Sequence, residues 1–288
     1  MSRIVRIFSW RKPTVLLLFT VAHSCWGFLK SGEDQAWAGN LGWIDMGAER
    51  ETGLRIGEFF LEGYAYSHSS GWILLGDGSP QNGIRYSNTT RDDFGVNRIE
   101  SGSLRGYAYS PNLGWIAFHE NGNPRIDLVT GDFSGFAYAL NAGWIALETL
   151  SAREIVPGED SNGNGIPDSW ERDRLGGLSD QRSDFDSDGD GKSDFAEYEA
   201  DTNPLDLQDR FAITGFSRTG LLEGFLQWKS RPSRIYLIES SSDLVEWRSI
   251  LGPLAGQDEW TSLSVPIDGT EPLFLRVKTV LPTEVGLE

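Results

Sequence analysis

The stretch Gly106-Tyr107-Ala108-Tyr109-Ser110-Pro111-Asn112-Leu113-Gly114-Trp115-Ile116 decides the fold of the first half of this chain. It alternates ring-bearing and small residues, breaks at Ser-Pro-Asn, and resumes at Gly-Trp-Ile. That is the pattern of two short strands joined by a tight turn. The pattern recurs at Ala36-Trp37-Ala38-Gly39-Asn40-Leu41-Gly42-Trp43-Ile44, and at Gly63-Tyr64-Ala65-Tyr66-Ser67 leading to Gly71-Trp72-Ile73. A further copy runs from Gly135-Phe136-Ala137-Tyr138 to Gly143-Trp144-Ile145. Trp43, Trp72, Trp115 and Trp144 fall 29, 43 and 29 residues apart, and the middle interval carries an insertion around Ser87 to Asn97. A third strand, Arg125-Ile126-Asp127-Leu128, is expected to complete the third copy. One such unit cannot bury its apolar face alone, so the copies must pack together. The expectation is one antiparallel β-repeat domain over residues 30–152.

The repeated tryptophans read as the core of that domain, because each buries about 150–250 Å2. Residues two apart on a strand share a face. Tyr64 and Tyr66 therefore point together, with Ala65 opposite. Tyr64, Tyr66, Tyr107, Tyr109 and Tyr138 form either a ligand face on which sugars stack or a second packed layer. The repeat resembles Gly-Tyr-Ala-Trp-Ser/Gly-Trp-Ile segments of bacterial secreted proteins, a resemblance that assigns no activity.

Two twelve-residue stretches carry the strongest chemistry. Loop one is Asp160-Ser161-Asn162-Gly163-Asn164-Gly165-Ile166-Pro167-Asp168-Ser169-Trp170-Glu171, and loop two is Asp186-Ser187-Asp188-Gly189-Asp190-Gly191-Lys192-Ser193-Asp194-Phe195-Ala196-Glu197. Both fit D-x-[DN]-x-[DN]-G-x5-E. Calcium takes six to eight oxygen ligands. Here they are expected from Asp160, Asn162 and Asn164, the Ile166 carbonyl, Asp168 and Glu171. The second set is Asp186, Asp188 and Asp190, the Lys192 carbonyl, Asp194 and Glu197. Each closing glutamate sits in the first turn of a short helix. From Gly158 to Asp209 sixteen acidic residues face four basic ones, a net of −12. Without a cation these carboxylates repel one another with little apolar burial to offset it. About two Ca2+ ions per chain are expected.

The stretch Asp184 to Tyr198, with Thr202-Asn203-Pro204, resembles a bacterial thrombospondin type 3 repeat, related in ligand pattern to EF-hand and dockerin loops. Gly165 to Glu171 with Gly176-Gly177-Leu178 resembles its usual upstream companion. The resemblance covers residues 158–209 and implies calcium at the positions named and a linker role between modules. The chain departs from it at Asp201, where the family commonly has Gly. A left-handed turn suits Gly better than Asp.

From Phe211 onward the period becomes strand-like, at Phe211–Thr214, Gly224–Trp228, Ile235–Ser240, Thr261–Val265 and Leu273–Val277. Residues 210–281 are expected to form a small β-sandwich of fibronectin or immunoglobulin type, with Trp228 and Trp247 in its core. The stretch from Trp228 through Arg234-Ile235-Tyr236 to Trp247 resembles C-terminal modules of exported planctomycete and verrucomicrobial proteins. The fold class is therefore mainly β: a repeat domain, a calcium-loop connector with two short helices, and a sandwich.

The 288-residue chain has a formal charge of −17, which excludes a phosphate-backbone partner in the absence of a basic surface. Arg3, Arg6, Arg11 and Lys12 precede an apolar run from Val15 to Ala22, so residues 1–24 read as a signal peptide cut before Cys25. That run is too short for a membrane anchor, and no later segment spans a bilayer. Cys25 is the only cysteine, so no internal disulfide forms. No nucleophile, zinc or phosphate-loop motif is present. The expectation is a secreted or envelope-associated, non-catalytic binding or structural protein. Its partner would be an extracellular polysaccharide or another envelope protein. The competing expectation is a carbohydrate-binding accessory protein or weak glycoside hydrolase working on the aromatic face, since a glycosidase needs only two carboxylates.

Overall fold

The computed structural model describes residues 29–47, 52–99, 101–178, 182, 184–220, 222–267 and 274–284. The segment 1–24, expected to be a signal peptide, and Cys25 lie outside the described residues. The protein is mainly β, with antiparallel sheets and two short helices.

Each repeat forms a hairpin: Leu29–Ala38 with Gly42–Asp45, Leu61–Ser67 with Gly71–Gly76, Leu104–Ser110 with Gly114–Phe118, and Phe136–Ala139 with Gly143–Ala146. Successive hairpins pair edge to edge, as Ile44 does with Ser67, Leu74 with Tyr109, and Ile116 with Ala139. The last strand then pairs back onto the first, Ala38 opposite Ile145. Eight strands thus close into an antiparallel barrel, which leaves no edge in the ring. Turn chemistry sets the register. Leu41, Ser70 and Ala142 donate to the carbonyls three residues earlier, and the following glycines, Gly42, Gly71 and Gly143, adopt φ near +76°. A type I turn followed by a left-handed residue is a favoured three-residue hairpin, and glycine takes that conformation freely.

The register places four Ala–Ile pairs inward: Ala36–Ile44, Ala65–Ile73, Ala108–Ile116 and Ala137–Ile145. All eight are buried. The tryptophans one residue earlier must then point outward, and Trp43 and Trp144 are 53% and 51% exposed. This overturns the expectation that they form the core. A closed ring of eight short strands has room for alanine and isoleucine, and period-two alternation sends their neighbours outside. The expected third strand is also different. Arg125–Ile126 pairs with Phe133–Ser134 outside the barrel ring, as a small flap with Ile126 and Phe133 buried.

The C-terminal part is a sandwich of two three-stranded sheets. One comprises Ile213–Arg218, Glu223–Ser230 and Glu259–Pro266; the other Arg248–Ala255, Ile235–Ser241 and Phe274–Val280. The strand over Arg248–Ala255 is not among those expected from the sequence, where Gly252 reads as a break. It pairs through two register shifts, which is how a sheet accommodates such residues. Trp228 is fully buried beside Leu226, Tyr236, Ile238, Val265 and Val277. Trp247 is not core: it is half-buried, with the Arg276 guanidinium 4.2 Å from its ring centre.

Between the β-modules lie helices α1 (Asp168–Arg174) and α2 (Asp194–Ala200). Ile166, Trp170 and Tyr198 form a third small apolar cluster with Phe59 from the barrel side and Leu281 from the sandwich side. The connector is therefore packed against both modules.

Candidate metal centre

The two loops are built on one hydrogen-bond skeleton. At the first position, Asp160 and Asp186 each accept from the backbone N–H groups three and five residues on, Gly163 and Gly165 or Gly189 and Gly191, at 2.8 Å. At the fifth position, Asn164 and Asp190 accept from the N–H of Ile166 and Lys192. These short-range Asx turns are what Asp and Asn do well, and they wind each loop about its own side chains. The glycines at position six have φ of +89° and +91°, a conformation costly for other residues.

The ninth residues, Asp168 and Asp194, are buried with both carboxylate oxygens engaged. One accepts from the N–H, the other from the Oγ, of Ser161 or Ser187. They tie the start of each loop to the first turn of its helix, which makes them positioning groups. Both loops carry a serine at the second position, Ser161 and Ser187, a residue the calcium motif leaves unspecified.

The loops differ at their centre. In loop two, Asp186, Asp188 and Asp190 each turn one oxygen toward a common point, all within 4.8 Å of one another. Asp188 Oδ2, Asp190 Oδ2 and Glu197 Oε2 are buried without a hydrogen-bond partner. Burial raises the Glu197 carboxyl to about 7, and Asp188, Asp190 and Asp194 add to the rise. Burial first, then the charges of Asp190 and Asp186, raises Asp188 too. Convergent, desolvated, unpartnered carboxylates are the donor set of a hard cation. In loop one the same place is closed by amides: Asn162 and Asn164 donate to Glu171 at 3.1 and 3.0 Å. An amide turned over would present its oxygen instead.

The site is wired to both modules. Ser193 caps α2 by accepting from Ala196 N–H, and Glu197 accepts from Thr202. One residue after Glu197, the Tyr198 hydroxyl donates to Glu58 of the barrel side at 3.0 Å, and its carbonyl accepts from Arg234 of the sandwich at 2.6 Å. Asp201 ends α2 in the left-handed conformation, φ 54°. Its buried carboxylate accepts from Trp170, Arg174 and Ser233. Burial alone would raise it, but Arg234 and Arg174, with Ser233 and Trp170, hold it below the usual carboxylate range. Asp201 is thus the pin joining α1, α2 and the sandwich. Its unusual placement was visible in the sequence; its partners, spread over sixty residues without periodicity, were not.

The proposed ligand face lies on the outside of the barrel. Tyr64, Tyr109 and Tyr138 are exposed, while Tyr66 and Tyr107 are half-buried. Tyr66–Trp72, Tyr109–Trp115 and Tyr138–Trp144 are cross-strand pairs with ring centres 4.9–5.0 Å apart. Such pairs stabilise hairpins. No family model matches the chain, and no curated protein or solved structure is significantly similar to it.

Proposed function

We propose that this is an exported, non-catalytic calcium-binding protein whose connector, when loaded, braces the barrel against the sandwich. The observation that carries the reading is loop two: the carboxylates of Asp186, Asp188 and Asp190 converge, and Asp188, Asp190 and Glu197 each keep a buried oxygen without a partner, immediately before the residue that bonds both modules. The donor set is all oxygen, without His or Cys, which favours calcium over zinc. The charged start and short apolar run of the sequence support export to a calcium-rich medium. Affinity is expected at Kd of about 10−4–10−3 M, as in extracellular modules. Calorimetric titration of the whole chain should give about two ions. Small-angle scattering should give a longer particle in chelator. No heat at millimolar calcium refutes the reading, and binding without a change in dimensions removes the bracing role.

The exposed rings favour a second role for the barrel, binding neutral or cationic polysaccharide, since the chain's negative charge repels acidic polymers. The open cleft beside Tyr64 contains Glu62 and Asp77, but Glu62 pairs with Arg55 and Asp77 accepts from the Tyr86 hydroxyl. Carboxylates so engaged support binding over catalysis. Replacing Tyr107 and Tyr109 by Ala should abolish retention on a polysaccharide column while the barrel stays folded. Unfolding of that double variant would make the rings structural.

A further inference from the structure

The three modules meet around a narrow cavity, with about 20 Å3 of room for the centre of a water-sized sphere. Its wall holds four guanidinium groups, Arg85, Arg98, Arg174 and Arg234, and three carboxylates, Glu58, Asp173 and Asp201. The wall therefore carries one positive charge in excess.

The carboxylates are already committed. Glu58 accepts from Arg234 at 3.1 Å and from the Tyr198 hydroxyl. Asp201 is held by Arg174, Ser233 and Trp170. Asp173 stands 3.8–3.9 Å from Arg174 and Arg85, too far for a good hydrogen bond. Arg98 is left over. It is 2% exposed, its Nε donates to the Gly57 carbonyl at 3.0 Å, and among the described residues no carboxylate lies within ion-pair distance of it. Burial lowers its affinity for the proton; the charge of Glu58 offsets part of that, and the guanidiniums of Arg234 and Arg85 add to it. The Nε atoms of Arg85 and Arg174 are also buried without a hydrogen-bond acceptor. A buried charge is tolerated when paired, and several fixed donors around a small void make an anion site. The void admits one or two water-sized particles.

We propose that this cavity binds a small monovalent anion of the chloride class, which neutralises Arg98 and completes the junction between barrel, connector and sandwich. The inference rests on the arginine cluster and stands whether or not the loops hold calcium. It gives a role to the insertion between the second and third hairpins, which runs to Asn97 and brings the next residue, Arg98, to the junction.

The test uses the whole mature chain at saturating calcium gluconate, with sodium gluconate replaced by sodium chloride at constant ionic strength. Gluconate is too large for the void. The expected result is a saturable rise in Tm of roughly 2–4 °C and, in crystals grown with bromide, an anomalous peak in the cavity beside Arg98. Arg98→Met should lose the saturable rise. If that variant misfolds, the bromide map and chloride titration of the unaltered protein decide the matter alone. Equal melting in both salts, or water alone in the cavity at high bromide, overturns the proposal.

Discussion

At positions three and five loop one carries Asn162 and Asn164 where loop two carries Asp188 and Asp190, while positions one, two, four, six, nine and twelve are the same in both. The backbone winding, the left-handed glycines, the Ser-to-Asp tie and the closing glutamate are common to both. The amides of loop one donate to Glu171, so the loop closes on its own side chains. The carboxylates of loop two have nothing to donate, and one oxygen each of Asp188, Asp190 and Glu197 is buried unpaired. The same backbone thus serves as a self-sealed turn or as a cation cage, according to whether two side chains bring donors or only acceptors. Metal should order loop two far more than loop one.

The most severe test of that contrast is Glu197→Gln against Glu171→Gln. The first should weaken calcium at loop two about 100-fold and leave one ion per chain by calorimetry, while the second spares loop two. Similar losses of both ions from either change would mean the loops act as one site.

Exchanging the distinguishing residues should exchange the behaviour. Asp188→Asn with Asp190→Asn should let loop two seal itself, slowing its amide hydrogen exchange in chelator by about tenfold. Asn162→Asp with Asn164→Asp should open loop one in chelator to a similar degree. No change in either double variant would place the difference elsewhere than in these four side chains.

The raised Glu197 carboxyl sharpens the contrast through pH. In the metal-free folded protein it titrates at about 7, against an ordinary 4.5. Between these values the folded state holds a proton that the unfolded chain releases. Metal-free stability of the connector should therefore fall as pH rises from about 4.5 to about 7, and be flat above that. Denaturation in chelator across this window checks it. Glu197→Gln should abolish the slope, and a slope of opposite sign would contradict the burial of this group.

The smallest effects probe what the loops share. Ser161→Ala and Ser187→Ala each remove one bond to a buried carboxylate and should cost about 1–2 kcal/mol apiece, equally in both loops. Chemical denaturation with and without calcium measures this, and a marked inequality would deny the common skeleton.

The sequence by itself determined the elements with local causes. The hairpins follow from Gly-Trp-Ile and the three-residue turns, the loops from their Asx residues and glycines, and the helices from the residues that follow. It also determined that Tyr64 and Tyr66 share a face, because alternation is a property of the strand. It did not determine which face is inside. Trp72 and Ile73 are both apolar, and only closure of the ring, with space for Ala65 against Ile73 and none for indoles, sent the tryptophans out. Asp201 was legible as an anomaly and illegible as a pin. Glu58, Arg98 and Arg234 gave no signal at all. They lie 40 and 136 residues apart along the chain, and a buried ion pair of that kind has no period, spacing or composition. It exists only once three separately folded surfaces have been brought together and water has been squeezed from between them.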